Sequence, residues 1–202
     1  MTVTVPGTDP YPWPWAGLPP ADRIALVVAG ADPHWIARCA PSAALDAAAR
    51  LGPVAGVLRS LGATVVHVEH DRPARAPAVG APPMPPTSIR EPDDLVVTAG
   101  GIDGFFASTL DHQLRARRAD HLVIVGFGLE GPVHSTMRSA NDQGYECLLL
   151  TDAAAPLDED NVRAALSMVT MSGGIFGALG LSTDLLATLA TLGTPATPAR
   201  LT

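Results

Sequence analysis

The sequence predicts an α/β fold of three layers, a parallel sheet of five or six strands with helices packed on both faces. Continuous apolar runs of strand length recur along the chain, helix-length stretches separate them, and most connections are short. A run that is apolar at successive positions, rather than at alternate ones, belongs to a strand buried on both faces, the condition of a parallel sheet.

The elements follow in order. Residues 1–22 carry Pro6, Pro10, Pro12, Pro14, Pro19 and Pro20 around Trp13 and Trp15, which excludes a helix because proline removes the backbone donor and fixes φ. Two readings of this stretch stay open: a loose tail, or an extended arm whose tryptophans dock on their own domain or on a neighbouring subunit. Strands are expected over 24–29, 63–68, 94–98, 122–125 and 146–150. A helix is expected over 42–61, interrupted or kinked at Gly52 and Pro53, with others near 105–118, 132–143, 158–170 and 182–192. The proline-rich stretch 72–93 reads as a long irregular excursion of the kind that forms lids or interfaces. The domain plan is therefore an arm at 1–22, one domain over 23–195 and a tail at 196–202.

The chain has 202 residues, 47% of them apolar and only 4% aromatic, so its core is built mainly of Ala, Val and Leu. The net charge is −7 and the arginines are scattered, which argues against a nucleic-acid face. Cys39 and Cys147 suit a reduced cytoplasmic protein better than a disulfide framework. No basic stretch followed by an apolar run marks a secretory leader. No apolar run approaches the roughly 20 residues of a membrane span, so a cytoplasmic, membrane-free protein is expected. All 13 basic side chains of the Lys and Arg class are arginine; lysine is absent.

Several short motifs occur in a telling order: Pro10-Tyr11-Pro12-Trp13-Pro14-Trp15, Ala25-Leu26-Val27-Val28, Gly126, Thr136, Gly144-Tyr145, Thr151-Asp152-Ala153 and Gly173-Gly174-Ile175-Phe176-Gly177. Over nearly its whole length the chain resembles the isochorismatase-like superfamily of cysteine hydrolases, nearest its ureidoacrylate and biuret amidohydrolase branch. The resemblance implies a parallel sheet covered on both faces, assembly as a dimer or tetramer, and a catalytic triad of Asp, Lys and Cys. Carried over, the aspartate position falls on Gly30, the lysine position on Ala99 or Gly100, and the nucleophile position on Pro132. Proline suits the first turn of a helix, yet it also lacks the N–H that would help hold an oxyanion, a loss typically worth about 10²–10³ in rate. Asp32 lies two residues past the aspartate position; a lysine has no substitute anywhere.

The remaining polar residues gather where strand ends form the ligand crevice of an open α/β sheet. Asp32, Glu130 and His134 are the candidate acid–base residues, and His34, Asp103, Gly128 and Gly131 the candidate ligand-binding ones. Gly128 and Gly131 offer backbone donors at a helix start, and Arg138 could neutralise a carboxylate. Alternation places His67 and Glu69 on one face of the second strand with His70 near the loop. No metal-ligand spacing is present, and no metal or cofactor is expected. Cys39 and Cys147 read as inert packing, and Gly173 to Gly177 as close backbone packing. Three functions are open: a non-catalytic partner or regulatory subunit, paired with itself or with an intact paralogue; a repurposed acid–base enzyme acting on a small cyclic or unsaturated acid; and a small-molecule binding protein.

Overall fold

The computed structural model describes residues 2–71 and 89–192. Six strands, β1 (Ile24–Ala29), β2 (Thr64–His70), β3 (Leu95–Ala99), β4 (His121–Phe127), β5 (Glu146–Ala155) and β6 (Ala178–Gly180), form one parallel sheet in the order β3-β2-β1-β4-β5-β6. All six residues of β1 are buried, and the pleat divides them. Ala25, Val27 and Ala29 join one apolar cluster; Ile24, Leu26 and Val28 join another on the opposite face. The helices are α1 (Pro33–Ile36), α2 (Pro41–Ser60), α3 (Leu110–Ala116), α4 (His134–Asp142), α5 (Val162–Gly174) and α6 (Ser182–Leu192). Helices α3, α4 and α5 supply side chains to the first cluster; α2 and α6 supply the second. No described helix is long and apolar enough to cross a membrane.

Three expectations change. Helix α3 begins at Leu110 rather than near 105, because Asp103 and Ser108 hold the preceding turn. Helix α2 is not interrupted at Gly52 and Pro53; it runs as one element of 20 residues. Ala44, Ala47, Leu51, Val54, Ala55 and Leu58 form a continuous buried face along it, and that burial outweighs the one hydrogen bond Pro53 cannot donate. Strand β5 extends to Ala155, five residues beyond its apolar run, and pairs with the end of β4 through Gly126–Ala154 and Phe127–Ala155. Most of the 72–93 excursion lies outside the described residues, as does the 196–202 tail.

The N-terminal segment docks on its own domain. Val5 donates its N–H to the Trp13 carbonyl at 2.7 Å, and Asp9 exchanges two backbone bonds with Leu179, at 3.0 and 2.8 Å, beside the sheet edge. Trp13 is wholly buried, whereas Trp15 stacks on Tyr11 at 4.3 Å and stays 68% exposed. A side-chain network adds a second polar anchor for the arm. The Trp15 amide donates to Glu146 Oε1 at 2.7 Å; Glu146 Oε2 lies 3.2 Å from His121 Nε2, and His121 Nδ1 lies 2.6 Å from Asp120. Asp120 also pairs with Arg23.

Burial alone would push the His121 imidazole down, but hydrogen bonds and charge from Glu146 and Asp120 outweigh it, and its pKa is raised. The stability this gives is fully present below the ordinary histidine range and is lost as pH climbs through the raised value. Urea unfolding followed by tryptophan fluorescence should show the native protein losing stability over that interval. His121→Gln should flatten that slope; equal slopes in the two proteins would contradict the arrangement.

Candidate functional site

Strands β1 and β4 pair in parallel with Ala29 opposite Gly126, and the chain turns immediately beyond both. Gly30 takes φ +66°, and a Cβ built on it would stand 2.2 Å from the Phe127 carbonyl oxygen. The backbones touch there, so only glycine fits. Asp32 then caps α1, its Oδ1 accepting from the amides of His34 at 3.0 Å and Trp35 at 3.2 Å. Its Oδ2 accepts from the His70 amide at 3.1 Å and lies 3.0 Å from His70 Nδ1; His70 Nε2 lies 3.0 Å from the Ile102 carbonyl oxygen. Burial would raise the Asp32 carboxyl, but the bonds from His70 and the Trp35 amide prevail and hold it below the usual carboxylate range.

The cap aims Trp35 at the turn between β4 and α4. Gly128, at φ +82°, begins this turn, and a wide, irregular helical turn over Leu129–Val133 follows. A Cβ at Gly128 would lie 2.8 Å from Pro132 Cδ and 3.4 Å from Trp35 Cε3; one at Gly131 would lie 3.6 Å from Trp35 Cζ3. The indole therefore lies flush along the turn, beside Pro132, with only 4% of the residue exposed. His70 meets its edge at a ring separation of 6.1 Å, and its Nε1 has no hydrogen-bond partner. Ala99 is fully buried in register with His70, and the Gly100 amide donates to the Phe106 carbonyl at 3.0 Å.

The proposed acid–base residues separate. Glu130, His134, Asp103 and Arg138 line one cleft of about 620 Å³ between α4 and α5; Asp32 and His34 are not among the described residues that line it. Even there the carboxylates are engaged. Glu130 accepts the amides of Leu157 and Asp158, both at 2.8 Å. Asp103 accepts from the Phe105 amide at 2.9 Å and from Ser139 Oγ at 2.6 Å. His134 is buried, and its Nε2 has no partner. Burial lowers its pKa and the nearby Arg138 charge lowers it further, so the ring is neutral at pH 7. Among the described residues no hydrogen bond joins Glu130 to His134, and no three His, Cys, Asp or Glu side chains converge as a metal-ligand set. His34 is half-buried, its ring edge-on to Trp35 at 5.2 Å.

Neither cysteine is an activated nucleophile. Burial pushes the Cys39 thiol up to about 11 and raises that of the fully buried Cys147 further. Sequence reasoning missed Trp35 and the Asp32–His70 pair. The available signal for Trp35 was a large aromatic residue shortly after the first strand in a chain that is only 4% aromatic.

Substitution of Gly30 by aspartate should destabilise the protein by at least about 2 kcal/mol, from the left-handed backbone and the collision with Phe127. Thermal unfolding measures it; an unchanged melting temperature would contradict the contact. Trp35→Ala should cost about 3–5 kcal/mol, the usual loss for a buried aromatic ring, and a loss below 1 kcal/mol would place the indole outside the core.

The isochorismatase domain model matches residues 25–178. An uncharacterized isochorismatase family protein of Bacillus subtilis (strain 168) is 31% identical over 113 residues, 54% of this chain and 59% of that protein. The ureidoacrylate amidohydrolase RutB of Variovorax paradoxus is 43% identical over 67 residues, 33% of this chain and 27% of that enzyme. The chain thus aligns with less than two thirds of either relative. Among solved structures, an isochorismatase family protein from Burkholderia thailandensis superposes with a TM-score of 0.71 at 24% identity, covering 84% of this chain and 96% of the other. An isochorismatase-like hydrolase from Alkaliphilus metalliredigens gives a TM-score of 0.69 at 19% identity, covering 82% and 98%. Those two likenesses concern the fold, and with the domain match they lead to one conclusion: the chain belongs to the isochorismatase family.

Proposed function

We propose that this protein is a non-catalytic member of its family, a pseudo-hydrolase that acts as a partner or regulatory subunit rather than as a cysteine amidohydrolase. One observation carries the reading: the buried Trp35 indole packs on Gly128 and Gly131, the turn that also holds Pro132, where the resemblance puts the nucleophile. Three features support it. Lysine is absent from the sequence. Gly30 leaves no room for a side chain at the aspartate position. Pro132 carries neither a thiol nor an amide proton for an oxyanion. The partner half of the reading is supported by the exposed Trp15 at the arm and by Met168, Met171 and Ile175, each above 40% exposed, on or just beyond α5.

A second reading, proton transfer at His134, has one observation in its favour. This neutral imidazole with an unpartnered nitrogen borders a cleft that also holds Arg138, a group able to bind a carboxylate. A substrate for it would be a small acid. Asp32 has no part in it.

Purified protein incubated with ureidoacrylate, biuret and nicotinamide should give no turnover above buffer, and native mass spectrometry should find a dimer or larger assembly. Turnover abolished by Cys39→Ala would overturn the non-catalytic half, and a monomer alone and with an intact family member would overturn the partner half. Turnover of a cyclic or unsaturated acid that survives Cys39→Ala and is lost in His134→Gln would select the second reading.

A further inference from the structure

His67 stands on the α2 face of β2 and lines a cavity of about 370 Å³, apart from the α4–α5 cleft and bordered by the cluster that packs on Trp35. Val28, Ile36, Ala48 and Phe127 make its apolar walls; Glu69 and Arg90 stand on its polar side. The imidazole is held in one orientation. Its Nε2 lies 3.0 Å from Asp94 Oδ2. Asp94, whose side chain is 3% exposed, also accepts from Arg59 Nε at 2.8 Å, from Arg59 Nη2 at 2.6 Å and from the Glu91 amide at 2.9 Å. Burial would raise this carboxyl, yet the bonds from Arg59, the Glu91 amide and His67 hold it low and ionised.

An ionised carboxylate only accepts, so the proton between the two sits on His67 Nε2 and Nδ1 presents a lone pair. Among the described residues Nδ1 makes no hydrogen bond. A rigidly aimed acceptor in a buried residue costs free energy unless water, a ligand or another donor satisfies it. The charges around it are already paired: Glu69 with Arg90 at 3.4 Å, and Glu91 with Arg59 at 3.2 Å. An ionic ligand would enter without a counter-charge of its own.

We propose that this cavity binds a small uncharged molecule with an apolar ring and one O–H or N–H donor, which His67 Nδ1 accepts. The volume lies in the range of small-molecule sites, and the site gives a subunit without chemistry a means of sensing a metabolite. The sensing role rests on the non-catalytic reading above; binding itself is tested separately from it. The groups facing His67 are Asp94, Glu69 and Glu91 among the acids and Arg59 and Arg90 among the bases. Burial pushes the imidazole below its ordinary value despite the pull of Asp94, so it stays an acceptor at neutral pH.

Phenol is the probe, titrated into the whole protein and followed by protein-observed NMR, with anisole and benzoate as controls. Phenol should saturate with a Kd on the order of 1 mM and perturb His67 and Phe127. Anisole, which lacks the donor, should bind about tenfold more weakly, and benzoate not at all. Affinity should fall as acid protonates Nδ1. His67→Phe should weaken phenol about tenfold. Because that change strands Asp94, Ala48→Leu provides the independent test; it fills the cavity and should abolish binding without lowering the melting temperature. Equal affinity for phenol and anisole, saturable binding unaffected by Ala48→Leu, no saturable binding of phenol, or contacts showing the chain's own side chains inside the cavity would each overturn the proposal.

Discussion

The carboxyl edge of the sheet is organised by one close contact, the backbone of Gly30 against the Phe127 carbonyl. Parallel pairing of β1 with β4 brings the chain to that point, and only a residue without a side chain passes it. The turn that follows puts Asp32 where it caps α1; the cap fixes Trp35; and Trp35 covers the turn over Gly128 and Gly131. His70, at the end of the neighbouring strand, completes the seal by pairing with Asp32. A side chain at position 30 would unseat each of these in turn. Over Gly30 and Gly128 the edge that carries ligands in other open α/β sheets is packed, and the cavities lie to either side.

Consequently the polar residues work mainly as scaffolding. Asp32 caps a helix, Glu130 holds the amides of the loop after β5, and Asp103 ties the loop after β3 to α4. Each carboxylate accepts at least one hydrogen bond from a segment distant in sequence. Among the described residues, two imidazoles keep unspent hydrogen-bonding capacity, His134 in the α4–α5 cleft and His67 on the opposite face, beside the unpartnered indoles of Trp13 and Trp35.

Much of the fold was legible in the sequence because buried parallel strands leave an unbroken apolar signature. Residues 24–29 match β1 in full, and 182–192 match α6. Departures have local causes. Thr151 and Asp152 look like a strand end, but β5 continues, because Asp152 turns out to serve α6 by accepting from the Ser182 amide and hydroxyl at 2.9 and 2.6 Å. Helix α3 starts at Leu110 rather than near 105, since Asp103 and Ser108 hold the preceding turn with side-chain bonds. The three-residue β6 is too short to carry a pattern of its own. The site was less legible. Asp32 and His70 are 38 positions apart, and Asp94 and His67 are 27 apart; neither pairing leaves a mark in local spacing. Absence was the clearer signal, because a missing lysine needs no geometry to be read.

The central claim is that no activated thiol exists at the carboxyl edge. Native protein treated with iodoacetamide at neutral pH and followed by intact mass tests it directly. The account predicts no adduct on Cys39 or Cys147 until the protein is unfolded, since both thiols are buried and raised in pKa. Rapid alkylation of Cys39 in the folded protein would contradict it.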